Sequence, residues 1–308
     1  MTDEKTKKRG MDMERISSVT EYGYAKINLH LDMLGRLPDG YHSVATVMQT
    51  ISIRDEVTVI PNESGDFFAT CNVEGVPSDE KNIAVRAAKL FCMRTGTVMG
   101  GEIRIHKEIP MAAGMAGGSA DGAAVLRALN RLREDPLSVE ELCEIGSKLG
   151  ADVPFCIVGG SAYADGKGDV LHPFPEMPDC VIVAACEGEG VSTPWGYGLL
   201  DRTYSNFESG CGYTPRSIDG LRNALEKKDL RAVCRNMYNI FEKPILAERP
   251  VAANVKRLLL ESGAVGAMMS GSGPSVFGVF TDEQEAEQAG NRLKEEGYYP
   301  YICHPITF

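Results

Sequence analysis

The segment "PMAAGMAGGSADGAAVLRALN", Pro110 to Asn130, carries four glycines and seven alanines and then turns into an apolar, helix-favouring run. A helix start presents backbone N–H groups without intrahelical acceptors, and the helix dipole adds partial positive charge there. Small residues let such donors approach phosphate oxygens closely, so Ala112, Ala113, Gly114, Met115, Ala116, Gly117, Gly118 and Ser119 form a candidate phosphate cradle; a tight strand-to-helix packing corner would use the same residue types. No GKS or GKT follows, and no GxGxxG is present. Two further residues bear on the same chemistry: Lys26 in the strand-like "GYAKINLHLDML" and Asp152 in "KLGADVPFC". Alone, they read as an exposed strand lysine and a turn or N-cap aspartate. As a pair, the carboxylate can orient a substrate hydroxyl and help it lose a proton while the ammonium stabilises developing alkoxide or phosphoryl charge. "MMSGSGPSVFG" supplies a second Gly/Ser turn, with Gly271, Ser272 and Gly273, suited to a close approach to substrate or simply to a hairpin.

Alternating β-branched and aromatic residues in "SSVTEYGYAKINLHLDML" and "YHSVATVMQTISIRDEVTVIP", separated by the turn-like "GRLPDG", predict an early antiparallel sheet. "GEIRIHKEIP" adds a strand with Ile103, Ile105 and Lys107 on one face. Helices are expected in "KNIAVRAAKLFCMRTG", in "SADGAAVLRALNRLRE" with Ser119 as N-cap, and in "SVEELCEIGSKLG" with Ser138 as N-cap and Gly150 at its end. Beyond an expected division near residues 165 to 178, "CVIVAACEG", "AVGAMMS" and "SVFGVF" read as strands, with Met268 and Met269 in the core. "SIDGLRNALEKKDL", "VAANVKRLLLESG" and "DEQEAEQAGNRLKEEG" read as helices, and the class is α+β.

The 308 residues accommodate two domains, and 43% hydrophobic content is ordinary for a globular chain. A formal net charge of −11 argues against a general nucleic-acid or anionic-membrane binder and favours small-molecule chemistry. Nine cysteines without a CxxC pair suggest a reduced, cytoplasmic protein without structural zinc. His30, His106, His172 and His304 show no metal-ligand spacing. No signal-like or membrane-spanning stretch is apparent, and residues 1–15 read as a mobile tail.

Taken in order, "YAKINLHLDMLGRLPDGYH", "PMAAGMAGGSADGAA", "LGADVPFC" and "SGSGPSVFG" closely resemble the GHMP kinase superfamily, from about residue 19 to the C-terminus. "AKINLHLDMLGRLPDGYH" and "GADVPFC" resemble more narrowly its branch acting on 4-diphosphocytidyl-2-C-methyl-D-erythritol. The resemblance implies a two-domain fold, with a ribosomal protein S5 domain 2-like ATP-binding domain over 16–165 and a GHMP C-terminal domain over 166–308. It implies ATP and Mg2+ as cofactors and Lys26 with Asp152 as the catalytic pair. It places Asn28 and the turn of Gly271, Ser272 and Gly273 at the substrate, the stacking Tyr41 and hydrogen-bonding His42 at its cytosine, and Asn82 and Lys107 around ATP. Tyr197 is expected as the second aromatic on the base, with Trp195 as its competitor. Asn82 also reads as a helix cap, Lys107 as a cap of the strand's solvent face, and Ser119 as a cap, phosphate or magnesium contact; magnesium ligands are not assigned. Ala112, Ala113 and Ala116 stand where some relatives have glycine, which preserves the cradle provided positive φ is not required. Ala120 stands where a second serine is common, and Gly122 where alanine is usual.

Overall fold

The computed structural model describes residues 18–133, 137–186, 190–204 and 213–307, so the expected tail at 1–15 lies outside the described residues. The alternating patterns on either side of "GRLPDG" form one long antiparallel hairpin, β1 (Val19–Arg36) with β2 (His42–Asn62). Its register shifts between Tyr24 and Lys26, between Asn28 and His30, and between Met33 and Gly35. Among the described residues, the hairpin anchors a seven-stranded sheet in the order β3 (Phe67–Cys71), β4 (Gly100–His106), β2, β1 and β8 (Tyr238–Asn239). β5 (Ser161–Asp165) pairs with β2 and with β6 (Val170–Pro173). A second, four-stranded sheet has the order β11 (Pro300–Cys303), β7 (Val181–Ala185), β10 (Val276–Phe280) and β9 (Gly266–Met269).

The two sheets are tied to each other. β8, from the second half of the chain, runs parallel to β1, with Tyr238 opposite His30 and Asn239 opposite Leu31. After β11 the chain end turns back: Ser52 N–H donates to the His304 carbonyl at 2.9 Å, and Ile306 N–H donates to Thr50 at 3.0 Å. The end of "YYPYICHPITF" thus packs back on the first sheet.

Helices cover the sheets where the apolar spacing places them. α1 (Ile83–Thr95) starts at Asn82, whose side chain accepts from Ala84 N–H, and stops at the left-handed Gly96. α2 (Gly117–Arg131) buries an alanine-rich face, including Ala120, Ala123 and Ala124. A Cβ at Gly122 would sit 2.8 Å from Ile83 Cγ2, so this glycine admits α1 close against α2. α3 (Val139–Gly146) has the expected Ser138 cap, completed as a capping box by Glu141, and α4 (Val153–Val158) follows. The second sheet carries α5 (Thr193–Thr203), α6 (Asp219–Glu226), α7 (Leu230–Asn236), α8 (Glu242–Glu248), α9 (Pro250–Glu261) and α10 (Glu283–Glu295). Met268 and Met269 are core residues.

Two helix ends differ from expectation. Ala116, not Ser119, is the N-cap of α2, because Gly117 and Gly118 already take helical conformation and place Ser119 inside the first turn. α3 stops at Gly146 with Ser147 as C-cap, and residues up to Gly150 form turns that hand the chain to α4, where Pro154 suits a first helical turn. The short β3, β5, β6 and β8 and helices α4, α5, α7 and α8 were not anticipated; each is brief or lacks a full apolar period, and tertiary packing decides it.

Candidate active site

Lys26 points from β1 into the cleft and is only 3% exposed. Its ammonium donates to Asn28 Oδ1 at 2.7 Å and to the Gly114 carbonyl at 3.2 Å, and Asp152 Oδ2 lies 3.9 Å away. Two of its three N–H donors are therefore aimed by the protein, and the remaining direction faces Asp152 and the cavity. Asp152 occupies the N-cap position of α4, yet its side chain makes no capping hydrogen bond. The carboxylate is left for the cleft. α4 is itself held by Arg127, whose guanidinium donates to the Cys156 carbonyl at 2.7 Å and to Tyr22 O at 2.6 Å, joining α2, β1 and α4.

The phosphate-cradle segment enters α2 through two alanines in left-handed conformation, Ala112 at φ 51° and Ala116 at φ 62°. The expectation that alanine is harmless without positive φ meets positions that do adopt it, at a cost of about 1 to 2 kcal/mol for an L side chain. No side chain caps α2, so its first N–H groups remain directed at the cleft. Gly114, Ala116, Gly117, Gly118 and Ser119 line the central cavity together with Ala112 and Ala113, whereas Met115 turns its side chain into the core and accepts from Lys26 N–H at 3.2 Å. Gly271 and Ser272 line the same cavity from the second half of the chain; Gly273 closes the turn by donating to the Ser270 carbonyl at 2.9 Å.

Asn28 lines the central cavity, but its amide is committed to the protein. Oδ1 accepts from Lys26 and from Gly271 N–H at 2.9 Å, and Nδ2 donates to Thr46 Oγ1 at 2.8 Å. Asn82 is likewise engaged, as the α1 cap and as a donor to the Pro77 carbonyl at 2.8 Å. Lys107 follows β4 and is buried rather than capping a solvent face: its ammonium lies 2.5 Å from Asp55 Oδ2 and 2.8 Å from Asp121 Oδ2. Burial opposes its charge, but the two carboxylates win and raise its pKa. Burial pushes Asp121 up to about 7, with Lys107 pulling the other way. Asn82 and Lys107 line a small cavity of about 250 Å³ that shares Ala112, Gly117 and Gly118 with the central one, whose volume is about 460 Å³.

On the opposite side, an outer cavity of about 700 Å³ shares Ala151, Lys167, Thr193 and Tyr197 with the central one and is lined by Tyr41 and His42. Tyr41 is exposed, with the Lys167 ammonium 3.9 Å from its ring centre. Tyr197 stacks on His42, ring centres 4.7 Å apart, and lines both cavities; Trp195 instead lies under Arg249 and lines neither. Burial pushes the Tyr197 phenol up to about 12, so it is neutral at ordinary pH. His42 Nε2 meets Asp201 Oδ1 at 2.7 Å, and Asp201 also pairs with Arg36. The three cavities form one continuous cleft, with Lys26 and Asp152 at its middle. A larger cavity of about 840 Å³, near Arg216, Tyr238 and Lys256, contains none of the candidate residues.

The sequence matches the GHMP kinases N terminal domain over residues 82–160 and the GHMP kinases C terminal domain over 221–298. The 4-diphosphocytidyl-2-C-methyl-D-erythritol kinase of Clostridium perfringens (strain ATCC 13124) is 41% identical over 288 residues, 92% of this chain and 96% of that protein. The Synechococcus sp. (strain JA-3-3Ab) protein of the same name is 40% identical over 284 residues, 92% of this chain and 91% of that one. This chain belongs to the GHMP kinases, in the 4-diphosphocytidyl-2-C-methyl-D-erythritol kinase family. A crystal structure of 4-(cytidine 5'-diphospho)-2C-methyl-D-erythritol kinase superimposes with a TM-score of 0.76 at 29% identity, covering 93% of this chain and 98% of the other. L. major mevalonate kinase shares the fold, with a TM-score of 0.72 at 16% identity, covering 95% of this chain and 98% of that one.

As a GHMP kinase the chain uses ATP. Among the described residues, no three His, Cys, Asp or Glu side chains gather into a metal cage. Magnesium keeps several waters and takes one or two protein oxygens beside substrate phosphates; Ser119, which lines the central cavity at the start of α2, carries a hydroxyl that would suit such a contact. Sequence reasoning for this kinase missed Thr46, Asp55, Asp121 and Asp201. Only Asp121, a carboxylate on the otherwise small and apolar face of a helix, carried a local signal. No helix among the described residues is long and apolar enough to cross a membrane, and no disulfide joins the described cysteines.

Proposed function

We propose that this kinase transfers the γ-phosphoryl group of ATP to the C2 hydroxyl of 4-diphosphocytidyl-2-C-methyl-D-erythritol, in non-mevalonate isoprenoid precursor biosynthesis. The observation that carries the reading is the position of Lys26 and Asp152, 3.9 Å apart, between the glycine-rich start of α2 and the cavity of Tyr41, His42 and Tyr197. ATP lies along the smaller cavity, with its phosphates against the N–H groups at Gly117 and Gly118. The cytosine lies in the outer cavity, where stacking on aromatic rings contributes about 1 to 3 kcal/mol per base. A bond forms between the C2 oxygen and the γ-phosphorus as the bond from that phosphorus to the β–γ bridging oxygen breaks. The hydroxyl proton passes to Asp152, ADP leaves with the bridging oxygen, and Lys26 stabilises charge on the transferring group. Magnesium, when bound, neutralises charge on the ATP phosphates. The kinase is assigned to the cytoplasm, where ATP is available and thiols stay reduced.

ADP release tests the reading, measured with magnesium and ATP in parallel reactions containing 4-diphosphocytidyl-2-C-methyl-D-erythritol, the same polyol without its cytidine diphosphate, mevalonate or homoserine. Turnover confined to the cytidine-bearing alcohol is the expected result. A faster reaction with a smaller alcohol would refute the base-pocket assignment.

A further inference from the structure

We infer that Thr46 is a positioning residue for phosphoryl transfer, holding the Lys26 ammonium in its working orientation through the Asn28 amide. The inference rests on the role given to Lys26 above. The direction of each bond follows from donor and acceptor chemistry. The Thr46 hydroxyl has one hydrogen, which it donates to the His30 carbonyl at 2.8 Å. Its oxygen is then an acceptor, and Asn28 Nδ2 donates to it at 2.8 Å. That choice turns Asn28 Oδ1 toward Lys26 Nζ at 2.7 Å and Gly271 N–H at 2.9 Å. Both of those groups can only donate, so the reversed amide would set its NH2 against two donors.

Thr46, Asn28 and Lys26 are each 3% exposed, which leaves little access for water to replace a lost partner. The irregular register between Asn28 and His30 brings the Thr46 hydroxyl within reach of both the Asn28 side chain and the His30 carbonyl. Gly271 belongs to the Gly/Ser turn of the second sheet, so the same Asn28 oxygen that orients the ammonium also receives that turn. Without the Thr46 hydroxyl, Asn28 Nδ2 loses its buried acceptor, and the amide, still turned the right way by Lys26 and Gly271 N–H, is no longer anchored at its far end, so the acceptor it offers Lys26 is less firmly placed.

The test is steady-state kinetics on purified full-length variants with ATP and 4-diphosphocytidyl-2-C-methyl-D-erythritol, with folding checked by circular dichroism. Thr46→Val preserves shape and removes the hydroxyl; kcat should fall by about tenfold or more while KM for ATP changes by less than about threefold. Thr46→Ser should restore kcat to within about threefold of the parent. Because Thr46 acts through Asn28, adding Thr46→Val to Asn28→Ala should change kcat by less than about twofold. If Thr46→Val does not fold, Thr46→Ala carries the same comparisons. The inference is overturned by a folded hydroxyl-deleted variant with parental kcat, or by a loss in the Asn28→Ala background as large as in the parent. Lys26→Met separates the two levels: retained turnover there refutes the role of Lys26 itself, whereas its loss beside an unaffected Thr46→Val refutes only the positioning of Lys26 by Thr46.

Discussion

A methyl group at Gly114 would separate the two loops that close the active site. Gly114 has φ +76°, and a Cβ built there would overlap the Ser270 carbonyl oxygen, lie 3.1 Å from its carbon and lie 3.2 Å from Gly273 N. These are backbone atoms and cannot rotate aside. Restoring an ordinary separation of about 3.5 Å requires the loops to part by roughly 1 Å. The Gly114 carbonyl accepts from Lys26 Nζ at 3.2 Å and from Ser270 Oγ at 3.0 Å, so the shift weakens both bonds at once. A misplacement of about 1 Å at a reacting centre costs about 100-fold in rate, equivalent to about 2.7 kcal/mol on the barrier. The left-handed alanine and the overpacking together should lower folding stability by about 2 to 5 kcal/mol. Gly114→Ala is therefore expected to remain folded at 25 °C with kcat reduced by about two orders of magnitude, measured by coupled ADP release beside a urea melt. A folded variant with kcat within about twofold of the parent would refute the argument that this contact sets the geometry of Lys26.

Asp152→Asn should preserve the melting temperature and reduce kcat by about 100-fold or more, since its carboxylate caps no helix and its loss removes the proton acceptor; near-parental turnover would remove Asp152 from that role. Ala116→Gly relieves a left-handed alanine at φ 62° but frees the unfolded chain, so urea melts should show a net change between zero and about 1 kcal/mol of stabilisation. A clear destabilisation would mean that the Ala116 methyl makes a packing contribution larger than its backbone cost. Burial, aided by Arg216, pushes His30 down to about 4 from 6.5, so its contribution to stability is fully present above pH 6.5 and is lost as the pH falls toward 4. The stability difference between the parent and a His30→Asn variant should therefore shrink by roughly 2.5 kcal/mol between pH 7 and pH 4.5, and a constant difference would refute a neutral buried imidazole.

The residues to which the chemistry is assigned by proposal were more legible than those that aim them. Lys26, Asp152 and the glycine-rich segment stand out because ionisable or very small residues interrupt otherwise regular apolar patterns, and the structure gathers them around one cavity. Tyr197 could not be separated from Trp195 by sequence, because the choice depends on which face of α5 meets the hairpin; stacking on His42 distinguishes them. Thr46 and Asp201 look like ordinary polar residues, and their importance arises from partners 18 and 159 positions away in the chain. The left-handed alanines were invisible for another reason: alanine signals helix, and only the fold imposes the positive φ. Asn28, expected at the substrate, lines the central cavity and also accepts from Lys26, Ser270 and Gly271 N–H, contacts that its place in a strand pattern does not reveal.

The return of the chain end to β2 has a mechanical consequence. The second half of the chain is fastened to the hairpin at several places: β8 pairs with β1, His304 and Ile306 bond beside β2, and Asn28 on β1 receives Gly271 N–H. Displacing the second half relative to the hairpin would have to break contacts on both of its strands. The Gly/Ser turn around Gly271 is thereby kept against the strand that carries Lys26, which fixes one wall of the cleft.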